Sequence, residues 1–510
     1  MNLLAGILFA LLVASVLAVG HFYVWRRLAR DTDLPAWASH ALAWAFVAVV
    51  VAVPVVVLTA RLTGAPWLLP FVFGAFSWMG FLFYLVVFLA SWELVRVVWW
   101  LGRRYRSVKI NRLDRASGTQ IDQNGAQDGS NGVQGHDLRS NGHAGYRSVK
   151  IKQSEREDAA VPETHVVTDL TAADDAPPAA GPDDAPPAAG PDNAQTAAGP
   201  DDAQTGTDQT ERDLVDEGPA NADRRRFFAR VAAGTAVFGA GAVSVAGVRS
   251  ALMDLRTPEV VVHLPRWPAE LSGYRVAVLS DLHLGPTLKT RFCRRVVELT
   301  NRLKPDLVVI TGDLVDGTVS QIGNQVRPLA DLRARHGVFF VTGNHEYYSG
   351  VDEWLAYLPH LGVTVLGNAM ASIGGRHRTN GFDLVGIYDF RAKWFRPDQA
   401  PNPKAAVQGR RTDEERAMIL LAHQPVQVHS AAAIHPDLQI SGHTHGGQIW
   451  PWGYVVRLTQ PYIAGLHQWD TQTQVFVTRG AGFWGPPIRF LAPAEIPVLV
   501  LVRSAGLVRV

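Results

Sequence analysis

Long uncharged apolar runs alternate with polar stretches along the first half of the chain, and short β-branched runs dominate the second. Residues 1–20 carry no charge and lead through His21-Phe22-Tyr23-Val24-Trp25 to Arg26 and Arg27. Residues 38–60 hold only His40 and a mid-span Pro54 as interruptions, and residues 66–90 again lack charge. Each run reaches the roughly 20 residues a helix needs to cross a bilayer. Trp92, Trp99 and Trp100 sit beside Arg96, Arg103 and Arg104, the composition of an interfacial belt. Residues 1–104 are therefore predicted to form three transmembrane helices. A cleaved signal peptide fits poorly, because the first run has no basic leader and further spans follow it.

A fourth apolar run, 231–248, follows the basic segment Asp223-Arg224-Arg225-Arg226-Phe227-Phe228-Ala229-Arg230. This segment resembles a twin-arginine export signal, although it is internal rather than N-terminal. Ala240-Gly241-Ala242 has the form of a cleavage site but lies in the middle of the run, so a retained anchor is expected over 223–257.

Between these regions, residues 105–222 are predicted to be a disordered linker. Tyr105-Arg106-Ser107-Val108-Lys109-Ile110 recurs unchanged from Tyr146, and a nine-residue Pro/Ala/Asp unit repeats from Asp174. Such composition offers too little apolar surface to offset the entropy of ordering.

From residue 258 to 510 the periodicity changes. Apolar runs at 274–279, 307–310, 338–341, 363–366, 384–387, 418–421, 475–477 and 496–502 alternate with helical patterns at 288–303 and 351–361. Strands alternating with helices indicate an α/β domain with buried strands.

Composition and charge sharpen this division. Hydrophobic residues make up 47% and charged residues 18% of the 510, yet mean hydropathy is only +0.04, so apolar and polar material is segregated. A net charge of +2 offers no nucleic-acid footprint. The lone cysteine, Cys293, excludes a disulfide framework and thiolate metal clusters. Arg26, Arg27 and Arg30 follow the first span, only Arg61 separates the second and third, and Arg103, Arg104, Arg106 and Lys109 follow the third. The positive-inside rule then places Met1 outside, the linker in the cytoplasm and residues beyond about 249 outside.

The chemistry is concentrated where the strand-like runs stop. One ends in Ser280-Asp281-Leu282-His283, another in Thr311-Gly312-Asp313, a third in Thr342-Gly343-Asn344-His345-Glu346. Later come Ala422-His423-Gln424 and Ser441-Gly442-His443-Thr444-His445. The carboxyl ends of strands in open α/β sheets are where sites assemble. Asp, Asn and His are all competent to bind divalent metals, and stability alone does not explain so many costly polar groups ending hydrophobic strands.

Asp281-x-His283, Gly312-Asp313, Gly343-Asn344-His345-Glu346, His423 and Gly442-His443-x-His445 together resemble, in order, the motif set of the calcineurin-like metallophosphoesterases. The stretch from Thr478 to Pro497 is similar to a membrane-linked bacterial branch of that family. The resemblance implies a four-layer α/β fold, two mixed β-sheets packed face to face with helices outside, behind the multi-span membrane region. It implies one metal held by Asp281, His283, Asp313 and His445 and a second by Asp313, Asn344, His423 and His443. His345 would not be a ligand but would contact the scissile phosphate and protonate the leaving oxygen. Two divalent ions (Mn, Fe or Zn) about 3.5–4 Å apart can lower the pKa of a shared water and clamp phosphate oxygens.

The implied function is a membrane-anchored phosphodiesterase acting at the outer face of the cytoplasmic membrane, on a phosphate ester that anchoring would make lipid- or envelope-linked. A sensor or scaffold that only binds through this domain is the competing class, and loss of ligands would mark it; none is lost. A transporter is disfavoured because the spans lack central charges. Asp316 and Glu346 flank the ligands as candidate hydrogen-bonding supports. Arg479 and Arg489 are expected in salt bridges or at the surface, and Cys293 in the core.

Overall fold

A computed structural model of the chain describes residues 3–63, 65–117, 219–374, 380–410 and 416–504. Most of the predicted linker, 118–218, lies outside the described residues.

Four helices, α1 (Leu3–Trp25), α2 (Ala36–Thr63), α3 (Leu69–Ser117) and α4 (Pro219–Met253), each contain a stretch long and apolar enough to cross a membrane. They pack through Leu17, Val24, Phe46, Val53, Leu82, Leu85 and Ala240. Val19, Trp44, Phe71 and Phe238 point outward from the bundle and stay exposed, the pattern of helices whose outer solvent is lipid. Toward one end, Arg27 pairs with Asp31 and Glu93, and Arg226 pairs with Asp33. The third helix does not stop at 104 as predicted but continues through Ser117. Residues 103–117 contain no glycine or proline to break it, and the Arg103 guanidinium lies 3.8 Å from the Trp99 ring.

After α4 come short strands β1 (Leu255–Arg256), β2 (Glu259–Leu264), β3 (Tyr274–Leu279), β4 (Leu307–Ile310), β5 (Val338–Phe340) and β6 (Val363–Val365). They are followed by β7 (Ala369–Ile373), β8 (Phe382–Gly386), β9 (Met418–Leu421) and β10 (Leu438–Ser441). The last are β11 (Gly465–Gln468), β12 (Gln474–Val477), β13 (Ala494–Glu495) and β14 (Val498–Arg503). One mixed six-stranded sheet has the order β2-β14-β3-β4-β5-β6 and the other β11-β12-β10-β9-β8-β7.

Alternation along each strand builds the layers. Val276 and Val278 of β3 meet Leu384, Ile419 and Ile440 between the sheets. Ala277 and Leu279 point the other way, against α5 (Thr290–Arg302), α6 (Val319–Val326) and α8 (Val351–Tyr357). Cys293 is buried in that helix-facing core, as expected. Val385, Met418 and Leu420 cover the outer face of the second sheet together with Ala406 and Ala431. The result is helix, sheet, sheet, helix: the four-layer α/β architecture.

The domain is tied to the last membrane helix. Arg295 of α5 donates to the carbonyls of Leu252 and Met253 at 3.1 and 2.6 Å, satisfying acceptors that the helix end leaves open.

Candidate metal centre

The parallel strands of both sheets point their carboxyl ends at one place. From the first sheet, β3 delivers Asp281 and His283, and β4 delivers Asp313. After β5, the single turn α7 (Asn344–Tyr348) presents Asn344 and His345. From the second sheet, β9 delivers His423 and β10 delivers His443 and His445.

Two groups of side chains form there, each drawing on both sheets. Asp281, His283 and His445 can each offer an atom to one cation, as can Asp313, His423 and His443. His283 Nε2 and His445 Nε2 lie 3.1 Å apart, and His445 Nε2 is 3.4 Å from Asp281 Oδ1. In the second group His423 Nε2 is 3.1 Å from Asp313 Oδ2 and 3.2 Å from His443 Nδ1. Asp313 Oδ2 also lies 4.0 Å from His283 Nε2, so this carboxylate stands between the groups.

The donor set was tested against the expected ions on two observations. The carbonyl oxygen Oδ1 of Asn344 is buried with no hydrogen-bond partner among the described residues, a costly state that a cation would relieve. Burial, with the neighbouring His423, pushes His443 down to about 3, and burial, with His283 and Arg489, holds His445 well below its usual range. Both imidazoles are thus neutral, the state that can donate a lone pair to a metal. The residues fit two divalent ions.

The backbone is bent to make this arrangement. Asp281, His283, Asp313, His443 and His445 all have left-handed φ, between 46° and 69°, a strained choice for residues with a Cβ that clusters at functional sites. Gly312, at φ 91°, approaches the next loop so closely that a Cβ there would overlap the backbone of Gly343 and meet the His423 ring at 2.8 Å.

Supporting groups complete the site. Glu346 is fully buried and accepts the backbone N–H groups of Asp313, Leu314 and Gly343 at 3.1, 2.7 and 2.6 Å, tying the two loops together. Burial, with the charge of Asp313, raises its carboxyl to about 7. Asp316 accepts from both His345 Nδ1 at 2.6 Å and His283 Nδ1 at 3.2 Å. His283, Asp316 and His345 thereby form a third cluster of metal-competent atoms, so geometry alone does not separate His345 from the ligands. Burial works against charge on His345, but Asp313 and Asp316 outweigh it and raise the imidazole to about 9.

Arg479 pairs with Glu495 at 2.9 Å, in line with expectation. Arg489 is not at the surface, and it forms no salt bridge among the described residues. It is fully buried, donates to the carbonyls of Gly482 and Ala492, and lies 3.1 Å from His445 Nδ1. Its surroundings are built by the 480–492 loop folding back, which no local pattern announces. Tyr348 and Trp484 were also missed; their rings stand 5.2 and 5.7 Å from that of His345, and neither belongs to a polar strand end.

Residues 274–447 match the family model described as calcineurin-like phosphoesterase. An uncharacterised metallophosphoesterase of Helicobacter pylori (strain J99) is 40% identical over 257 residues, which is 50% of this chain and 66% of that protein. A transmembrane protein with a metallophosphoesterase domain from Danio rerio is 36% identical over 267 residues, 51% of this chain and 61% of that protein. The first two relatives are thus matched over less than two thirds of their length. An uncharacterised metallophosphoesterase of Aquifex aeolicus is 32% identical over 255 residues, 49% of this chain and 93% of that protein. The relatives include bacterial proteins and animal transmembrane proteins.

Proposed function

This chain belongs to the calcineurin-like metallophosphoesterases, metal-dependent hydrolases of phosphoric esters, and on that premise we propose that it is a membrane-anchored, dinuclear phosphoesterase that cleaves phosphate diesters at the outer face of the cytoplasmic membrane. The observation that carries the reading is Asp313 standing between two ligand groups, each assembled from both sheets, with Asn344 Oδ1 buried and unsatisfied among the described residues. Asp281, His283, Asp313 and His445 would hold one ion, and Asp313, Asn344, His423 and His443 the other. When bound, the ions supply Lewis acidity toward the phosphate oxygens and a water of lowered pKa.

The remaining work falls to the chain's own groups. Asp313 and Asp316 raise His345 to about 9 in the metal-free chain, which favours its second proton at neutral pH. Asp316 takes Nδ1–H at 2.6 Å, which leaves Nε2–H free to be delivered to a departing oxygen. Glu346 holds the Asp313 and Asn344 loops in register through its three backbone bonds.

The anchoring is supported by α4, which runs unbroken through Ala240-Gly241-Ala242 to Met253 with Ala240 fully buried in the bundle. Arg226 and Gly247, where the catalytic domain docks, are about 31 Å apart along this helix at 1.5 Å per residue. The Arg224–Arg226 cluster and the docked catalytic domain therefore lie toward opposite ends of α4, which supports an exported domain under the positive-inside rule.

The test is hydrolysis of aryl phosphomonoesters and phosphodiesters by the purified full chain with Mn²⁺, expected to be abolished by chelation. A folded, metal-loaded chain inactive on every phosphate ester would overturn the reading.

A further inference from the structure

Two segments leave the metal loops and enter the membrane bundle. In the first, Trp484 to Leu491, Ile488 is fully buried between Gly80 of α3 and Gly247 of α4, two positions with no side chain in its way. The Arg489 N–H donates to the Gly247 carbonyl at 3.0 Å. Phe490 stands edge-on to Tyr84, with ring centres 5.8 Å apart. Gly247 precedes the end of α4 at Met253 by six residues, about 9 Å of helix, so this loop reaches below the end of the span. In the second segment Ile449 bridges to Phe490, and Trp452 lies edge-on to Phe83 of α3 at 6.4 Å.

Most of the remaining exposed side chains in these segments are apolar, with Arg457 and Thr459 among them. Trp450, Tyr454, Leu458, Trp484 and Leu491 are all exposed, Leu458 at 82% and Leu491 at 71%. A patch of this kind calls for a partner. Its continuity with helices that cross a membrane identifies that partner: aromatic and aliphatic side chains at this level are the composition of a bilayer interface. The same patch borders the site. The Trp484 ring is 5.7 Å from His345, and Arg489, next to the buried Ile488, is 3.1 Å from His445. Exposed Arg391 donates at 3.3 Å to Tyr348, whose ring is 5.2 Å from that of His345, and offers a cation to an anionic ester.

We propose that the substrate is a phosphate ester carried by a lipid of the membrane that α1–α4 cross, whose headgroup enters the metal centre past Trp484 while its acyl chains remain in the bilayer. This deepens, and rests on, the phosphoesterase reading above. A water-soluble ester would gain nothing from Leu458 or Leu491, whereas each buried methylene of an acyl chain adds to binding.

The test uses the full chain reconstituted with Mn²⁺ in dioleoylphosphatidylcholine vesicles. These carry dioleoyl phosphatidic acid (a monoester) or dioleoyl phosphatidylglycerol (a diester). Turnover is compared with the dissolved dihexanoyl form of each headgroup and with an aryl phosphodiester. Hydrolysis of at least one bilayer ester about tenfold or more faster than its dihexanoyl form is expected. Leu458→Glu should cut the ratio of bilayer to dissolved turnover about fivefold. Equal rates on bilayer and dissolved esters, or a ratio untouched by Leu458→Glu, would overturn the lipid inference, assign the apolar face to a protein partner and leave the phosphoesterase reading standing. Absence of hydrolysis in every arm, the aryl ester included, would overturn both.

Discussion

Replacing Asp316 with Asn should shift the pH dependence of turnover toward acid, by an amount set by the geometry around His345. The folded imidazole of the metal-free chain is raised from 6.5 to about 9, which at 1.36 kcal/mol per pH unit is about 3 kcal/mol in favour of the protonated form. Burial opposes that proton; Asp313 and Asp316 hold it, and Asp316 alone also takes its hydrogen bond at 2.6 Å. With the Asp313 charge offset by bound ions, Asp316 is the anion left facing His345. Asparagine keeps the acceptor and removes the charge, so the alkaline fall in activity should move down by about one unit or more. A general acid must be protonated to act, so activity is lost as pH rises through the folded pKa, and the variant loses it earlier. The stability sign agrees. A raised histidine pKa contributes stability that is fully present below 6.5 and lost as pH rises through about 9, so the wild-type advantage in the metal-free protein should shrink across that window. The assay is a pH–rate profile on an alkyl phosphate ester, which needs leaving-group protonation, against an aryl ester, which does not. Mn²⁺ must be saturating, because Asp316 also orients His283 at 3.2 Å and its loss should weaken metal binding about 10–100-fold. An alkaline limb that stays in place on the alkyl ester would show that Asp316 does not hold the proton that His345 delivers.

Asp313→Ala should strip both ions, whereas Asp281→Ala or His423→Ala should leave one; metal analysis after desalting distinguishes them. His345→Ala should retain both ions and lose about 10²–10⁴ in turnover on alkyl esters, much less on aryl esters; loss of an ion would make it a ligand. Gly442→Ala would push a methyl group into Ser280 Oγ and the Asp281 carboxylate, costing about 1–3 kcal/mol as overpacking and weakening the Asp281 group, read as a lower melting temperature and one ion fewer. Protease added to intact spheroplasts should cut the catalytic domain and spare the linker; protection of that domain until lysis would reverse the orientation.

The strands were legible because their signal is local. Continuous apolar runs bounded by polar residues located β3, β4 and β9 residue for residue, and the switch from apolar strand to Asp, Asn or His pointed to residues that gather in the candidate metal centre. β10 was harder to see as a strand, since Gln439 and Ser441 interrupt its apolar positions and are buried all the same. The four spans were equally readable, because a membrane helix must be apolar over its whole length whatever it packs against. Helix ends were less so: α3 ran on to Ser117 because the charges beyond Leu101 do not break a helix and residues 103–117 hold no glycine or proline.

Contacts across elements were beyond any such reading. Nothing near Asp281 says that its partner is His445 from the other sheet, nor that Asp313 stands between the two groups; sheet packing made those pairs. Arg489 looks like an ordinary exposed cation in a Gly/Pro-rich stretch, and only the loop that folds over it turns it into a buried neighbour of His445. Ile488 between Gly80 and Gly247 joins residues hundreds of positions apart, and together with Phe490 against Tyr84 and Trp452 against Phe83 it holds the aromatic edge of the site against the helix bundle. Local patterns depend on a few neighbouring residues and survive in the chain's order, whereas these contacts depend on how whole layers settle against one another, which only the folded molecule determines.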